Sequence, residues 1–219
     1  MPLLLDSADM EDISSSRELE VVSGVTTNPK LMHEAGADPE RRIKEILEKV
    51  PWPLWIQVPE GRRQEMFRWS LGYWSVAPER IVIKIPCTWD GVWLAGRLKR
   101  NHIPVCITTV FTSYQALLAF EAGADYVAPY VNRASREGGD GIELVKDIAE
   151  IIRARGGQEE ILAASLKSPE ELVQAYLAGA QYLTAPYKVL KDLLRSPLTD
   201  DALASFRELP GGVMDHKES

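Results

Sequence analysis

Short apolar runs rich in β-branched and aromatic residues recur along the chain at residues 2–6, 21–26, 53–58, 80–85, 103–108, 125–130, 160–165 and 181–184. Each has the length of a strand, and continuous apolar character marks strands buried on both faces. Between them, segments 40–49, 61–75, 90–100, 112–122, 139–154 and 169–178 have helical length and period. This alternation predicts βαβ units and a parallel sheet. Eight such strands predict closure into a single-domain (β/α)8 TIM-type barrel over residues 1–219, with a C-terminal helical tail over about 197–219. The chain turns polar and glycine-rich after residue 208. Thr112 or Ser113, and Ser168 followed by Pro169, are expected to open helices, the first by a side-chain cap and the second with proline at the first helical position. The repeated Ala-Gly-Ala at 122–124 and 178–180 marks expected helix ends.

Composition narrows the function. A net charge of −7 and a pI near 5.1 argue against a nucleic-acid surface, so an anionic substrate must meet a local positive site. Two cysteines, Cys87 and Cys106, make neither a disulfide framework nor a metal cluster and suit a reducing compartment. His33, His102 and His216 lack ligand spacing, so no metal is expected. The apolar run at the N-terminus turns acidic too soon for a signal peptide, and no stretch is long enough to span a membrane. The reading is a cytoplasmic protein with no membrane or nucleic-acid partner.

A barrel of this type places its chemistry at the C-terminal ends of the strands. The polar residues ending successive runs are Asp6, Thr26 with Asn28, Gln57, Lys84, Thr108, Tyr130 with Arg133, and Ser165. With a period of two, Leu4, Gly24, Trp55, Val82, Cys106, Ala128 and Ala163 are expected beneath them. Lys84 stands out within Ile-Val-Ile-Lys-Ile-Pro. Burial disfavours the charged ammonium, and the neutral amine attacks a carbonyl to form an imine; the competing reading is a lysine snorkelling from an edge strand. Asp6 reads either as a helix N-cap or as a carboxylate beside that amine. Asn28 before Pro29 reads as a turn former or a grip on a hydroxyl. Gln57, Thr108 and Tyr130 read as bonded core groups or as holders of substrate and water. Arg133 and Ser165 have the chemistry to hold phosphate, with Lys167 a further cation or a solvated lysine. Most of the six tryptophans read as packing; Trp89, five residues past Lys84, is expected at the barrel mouth.

The segments SGVTTNP at 23–29 and IVIKIPCT at 81–88 resemble the two signatures of the transaldolase family, and YVAPYVNR at 126–133, ILAASLKSP at 161–169 and AGAQYLTAP at 178–186 resemble its later strand ends. The resemblance implies a cofactor-free Schiff-base mechanism, with Lys84 as nucleophile and Asp6, Thr26, Asn28, Arg133 and Ser165 on active-site positions. It also implies Tyr130 as general acid/base, Gln57 and Thr108 holding a water, Asp6 and Asn28 on the donor hydroxyls and imine, and Arg133 and Ser165 on the acceptor phosphate. Gln57 and Tyr130 match the fructose-6-phosphate aldolase branch, where transaldolases carry glutamate and phenylalanine. The implied reaction is therefore cleavage or formation of fructose 6-phosphate from dihydroxyacetone and glyceraldehyde 3-phosphate. Alternatives are a transaldolase that transfers the dihydroxyacetone unit between sugar phosphates, or a noncatalytic sugar-phosphate-binding homologue. Small family members form pentamers or decamers in which the C-terminal segment reaches a neighbour, implying a homo-oligomer. Lys30, Cys87 and Trp89 depart from the family pattern, and Trp89 is expected to reshape the pocket.

Overall fold

A computed structural model describes residues 2–36 and 38–207. All eight expected strands form: β1 (Leu3–Asp6), β2 (Val22–Thr26), β3 (Leu54–Gln57), β4 (Ile81–Pro86), β5 (Val105–Val110), β6 (Tyr126–Pro129), β7 (Glu160–Ala163) and β8 (Tyr182–Ala185). They pair in parallel in sequence order, and β8 returns to β1, closing the barrel. Closure removes every sheet edge, which eliminates the edge-strand reading of Lys84.

The expected helices are present as α3 (Pro39–Lys49), α4 (Arg63–Trp74), α5 (Trp89–Lys99), α6 (Ser113–Glu121), α8 (Gly141–Arg155) and α9 (Pro169–Leu177). Five more lie among the described residues: α1 (Met10–Glu18), α2 (Pro29–Glu34), α7 (Val131–Arg136), α10 (Tyr187–Asp192) and α11 (Pro197–Arg207). Thr112 caps α6 by accepting from the Gln115 N–H, and Ser168 caps α9 by accepting from the Glu171 N–H, with Pro169 in the first turn. Gly123 and Gly179, the centres of the two Ala-Gly-Ala segments, turn each helix into the next strand at φ 84° and 113°, where a Cβ would be strained.

Two apolar clusters result. The larger lies between strands and helices; the smaller fills the barrel axis with Leu4, Trp55, Val82, Cys106, Ala128, Leu162 and Ala164. The expected interior set is correct except on β7, where Ala163 belongs to the outer cluster and Leu162 and Ala164 point inward. Alternation assigns a phase only when its starting residue is right, and β7 begins at Glu160, one residue off the phase that Ser165 suggests. Gly24 leaves room for its neighbours: a Cβ there would stand 2.6 Å from Leu4 and 2.9 Å from Trp55. The N-terminal end of the axis is packed by Trp55, Tyr126 and Tyr182, whose ring centroids lie 5.5–5.8 Å apart.

The turn from β4 into α5 is tight. A Cβ on Gly91 would lie 2.0 Å from the Pro86 carbonyl oxygen, a backbone atom that no rotamer change relieves. Gly91→Ala is therefore expected to lower unfolding free energy in urea by about 2 kcal/mol, as overpacking does; unchanged stability would show that this turn relaxes freely.

Candidate active site

Lys84 occupies the inward phase of a strand whose six residues are all buried. Its neighbours Ile83 and Ile85 pack outward under the helices, so its own side chain rises along the axis above Val82. It is 2% exposed, and its Nζ donates to the Thr27 carbonyl at 2.9 Å. In register it lies between Gln57 on β3 and Cys106 on β5. Burial pushes the Cys106 thiol up to about 12, even with the Lys84 cation pulling the other way. Cys106 therefore stays a neutral thiol and does not compete as a nucleophile.

Asp6 does not cap a helix: Asp9 caps α1, accepting from the Glu11 and Asp12 N–H groups. Asp6 instead accepts at Oδ1 from Thr26 Oγ1 at 2.8 Å. Thr26 Oγ1 also stands 2.7 Å from Thr184 Oγ1 on β8. Thr184 is absent from the sequence-derived set, although the same rule of taking the polar residue near each strand's end finds it on the eighth run. Asn28 caps α2, its side-chain carbonyl oxygen accepting from the Leu31 N–H at 3.1 Å, and the residue also lines the cavity.

The cavity at the C-terminal ends of the strands encloses about 600 Å³. It brings together Asp6, Asn28, Gln57, Lys84, Tyr130, Arg133 and Ser165; Thr26 and Thr108 are fully buried and lie behind its lining. Gln57 Oε1 and Thr108 Oγ1 are buried with no hydrogen-bond partner among the described residues, a costly state that a bound polar molecule relieves. At the β5 end the register slips between Thr108 and Val110, and Thr109, at φ 57°, enters the lining in place of Thr108. Its hydroxyl donates to the Thr108 carbonyl at 2.6 Å and accepts from the Cys87 N–H at 3.2 Å. A β-branched residue with positive φ is a strained exception, and no pattern in the sequence announces it.

Ser165 also has a left-handed backbone, φ 61°, which turns its hydroxyl-bearing residue into the cavity after inward-facing Ala164. Tyr130 flanks the start of α7, with Phe111 edge-on at 5.7 Å between centroids and the Arg133 guanidinium 5.4 Å from its ring centre. The same rim carries Arg136 and Lys167, and Lys30 joins from α2. Five cationic side chains, Lys84 included, thus line one mouth with three carboxylates, Asp6, Glu34 and Glu60, on a chain of net charge −7. This is the local positive site that an anionic substrate requires.

Trp89 corrects an expectation. It is 81% exposed at the first turn of α5, and neither it nor Cys87 lines the cavity. The buried residues Gly91, Leu94, Ala95 and Leu98 define the inner face of α5, and the helical period puts Trp89 on the opposite face. His33 and His102 stand apart, and among the described residues no group of three His, Cys, Asp or Glu side chains is placed to hold a metal; His216 lies outside the described residues. Among the described residues no helix is long and apolar enough to cross a membrane.

The barrel superposes on a mandelate oxidase mutant carrying a monooxide FMN adduct at a TM-score of 0.61, covering 86% of this chain and 65% of that one. It superposes on a flavocytochrome b2 mutant with bound pyruvate at 0.63, covering 85% and 56%. Both are 14% identical, a likeness of fold alone. Sequence relatives say more. A probable transaldolase of Lactiplantibacillus plantarum is 41% identical over 206 residues, 94% of each chain. Probable transaldolases of Alkaliphilus metalliredigens and Symbiobacterium thermophilum are 39% and 38% identical, each over 94% of this chain and 96% and 95% of theirs. The sequence profile described as Transaldolase/Fructose-6-phosphate aldolase matches residues 3–218. With the strand-end constellation in place, this chain belongs to the transaldolase/fructose-6-phosphate aldolase family, as an enzyme of the aldolase or transaldolase type.

Proposed function

We propose that the chain is a class I enzyme that captures a dihydroxyacetone unit as an imine on Lys84. The observation that carries this is the burial of Lys84 beneath a polar cavity: among the described residues it is the one lysine or arginine that is buried. Its amine attacks the C2 carbonyl of a ketose phosphate, and loss of water gives the protonated imine. Tyr130 takes the proton of the C4 hydroxyl as the C3–C4 bond breaks, and the bonding electrons pass into the imine to form an enamine. Asp6 and Asn28 hold the donor hydroxyls and face the cationic nitrogen, while Gln57 and Thr108 hold a water. Arg133 and Ser165 hold the phosphate of the departing aldose, with Lys167 and Arg136 adding charge at the rim.

The site's own residues favour release of the unit, that is, cleavage or formation of fructose 6-phosphate from dihydroxyacetone and glyceraldehyde 3-phosphate. Gln57 and Tyr130 support this, because the resemblance places glutamine and tyrosine at these positions in the fructose-6-phosphate aldolase branch and glutamate and phenylalanine in transaldolases. A second reading, transfer of the unit to another aldose phosphate, is supported by the naming of the relatives as probable transaldolases. Product analysis separates them: release yields glyceraldehyde 3-phosphate from fructose 6-phosphate with no acceptor present, whereas transfer requires one. Lys84→Ala is expected to lower kcat/KM at least about a thousandfold in either assay, as loss of a covalent nucleophile does. A residual activity within tenfold of wild type would rule out the imine. Gln57→Glu combined with Tyr130→Phe is expected to raise transfer relative to release; loss of both activities with no gain of transfer would contradict these roles.

Assembly into a ring of identical subunits fits this reading. Helix α11 buries none of its residues, yet exposes Leu198, Leu203 and Phe206. Light scattering is expected to report an oligomer, and Leu203→Glu with Phe206→Glu to shift it toward monomer; an unchanged mass would place the interface elsewhere.

A further inference from the structure

We propose that Thr184 is a positioning residue that orients Asp6 by donating a hydrogen bond to Thr26, an inference that rests on the Schiff-base reading above. Thr26 Oγ1 is 2.8 Å from Asp6 Oδ1 and 2.7 Å from Thr184 Oγ1. A hydroxyl has one proton to give, and an ionised carboxylate only accepts. The Thr26 proton therefore goes to Asp6, and the proton in the contact between the two threonines belongs to Thr184. The chain of donation has a single direction, from Thr184 to Thr26 to Asp6.

Topology turns this chain into a brace. Strand β1, which carries Asp6, lies between β8 and β2, and Thr184 pairs in register with Leu4 while Thr26 pairs with Asp6. Thr184 thus stands one inward position deeper than the carboxylate and meets Thr26 rather than Asp6. Thr26 is fully buried and Thr184 is 1% exposed, so water does not compete for either hydroxyl. Neither residue lines the cavity, whereas Asp6 does. With Oδ1 held from behind, Oδ2 is the oxygen left for the substrate and its imine. The same end of β2 carries the Thr27 carbonyl that receives Lys84 Nζ at 2.9 Å, so one short segment sets carboxylate and amine in a common frame. Freeing the Thr26 hydroxyl loosens the carboxylate without removing any group that touches the substrate.

The test uses the full chain with Thr184→Val, Thr184→Ser and Thr26→Val, and the double variant of Thr26→Val with Thr184→Val. Each is assayed for kcat and KM on fructose 6-phosphate, beside a thermal melt. Thr184→Val is expected to lower kcat about tenfold with KM within about twofold, the effect of losing one buried hydrogen bond felt mainly during the chemical steps. Thr184→Ser, which keeps the hydroxyl, is expected to recover kcat to within about twofold of wild type. In the Thr26→Val background, Thr184→Val is expected to cause no further loss, because its effect passes through Thr26. A Thr184→Val enzyme with wild-type kcat, a serine variant as impaired as the valine variant, or an equal further loss in the Thr26→Val background would each overturn the proposal. Should Thr184→Val not fold, Thr184→Ala assayed at reduced temperature carries the same expectation. Wild type and Lys84→Ala measured alongside keep the two ideas apart. Lys84-dependent turnover that Thr184→Val leaves intact defeats the brace alone, whereas wild-type turnover that survives Lys84→Ala defeats the imine and the brace with it.

Discussion

An amine cannot leave water without a partner, and in a closed barrel the only partners available are those that neighbouring strands bring to the axis. At Lys84 the partner is the Thr27 carbonyl, offered where β2 ends and before Asn28 caps α2. Much of the molecule serves that placement. Ile83 and Ile85 anchor β4 to the outer core, Gly91 permits the tight turn from β4 into α5, and Val82 and Cys106 pack in the axial cluster below the lysine. Cys106, pushed to about 12, adds no charge of its own there.

The inward residues form layers, and the layers divide the labour. The lowest packs aromatic rings, the next holds Leu4, Val82, Ala128 and Leu162 with Thr184 in register with Leu4, and above them come Asp6, Thr26, Gln57, Lys84 and Thr108. The flavin-dependent barrels that superpose on this chain share the strands at 14% identity, so strand geometry leaves the chemistry undetermined. What distinguishes this barrel is its polar layer and the cations of the rim above it. A chain of net charge −7 gathers Lys30, Arg133, Arg136 and Lys167 around one mouth, beside the carboxylates Glu34 and Glu60, and so concentrates positive charge there.

Most of this was legible from the pattern of residues, because a strand buried on both faces has a composition that few other segments share. Strands, long helices, the caps Thr112 and Ser168, and the polar residue near each strand's end all follow from local chemistry. What escaped depended on contacts between distant segments. The short helices α2, α7 and α10, six residues each, have too few turns to show a period. Alternation gives the wrong phase on β7 because Ser165 reaches the cavity through a left-handed backbone. Thr109 entered the lining through a register slip, and Trp89 turned outward with its helix, neither of which spacing along the chain reports. Thr184 ends the eighth apolar run as the other polar residues end theirs, but its contact with Thr26 joins residues 158 apart in sequence.

The central claim is covalent capture of a carbonyl by Lys84, and trapping the adduct tests it most directly. Intact mass and peptide mapping after incubation with dihydroxyacetone or fructose 6-phosphate and borohydride should show a reduced adduct confined to the peptide bearing Lys84, and none in Lys84→Ala. An adduct on another lysine, or active enzyme that forms none with either sugar, would contradict the account.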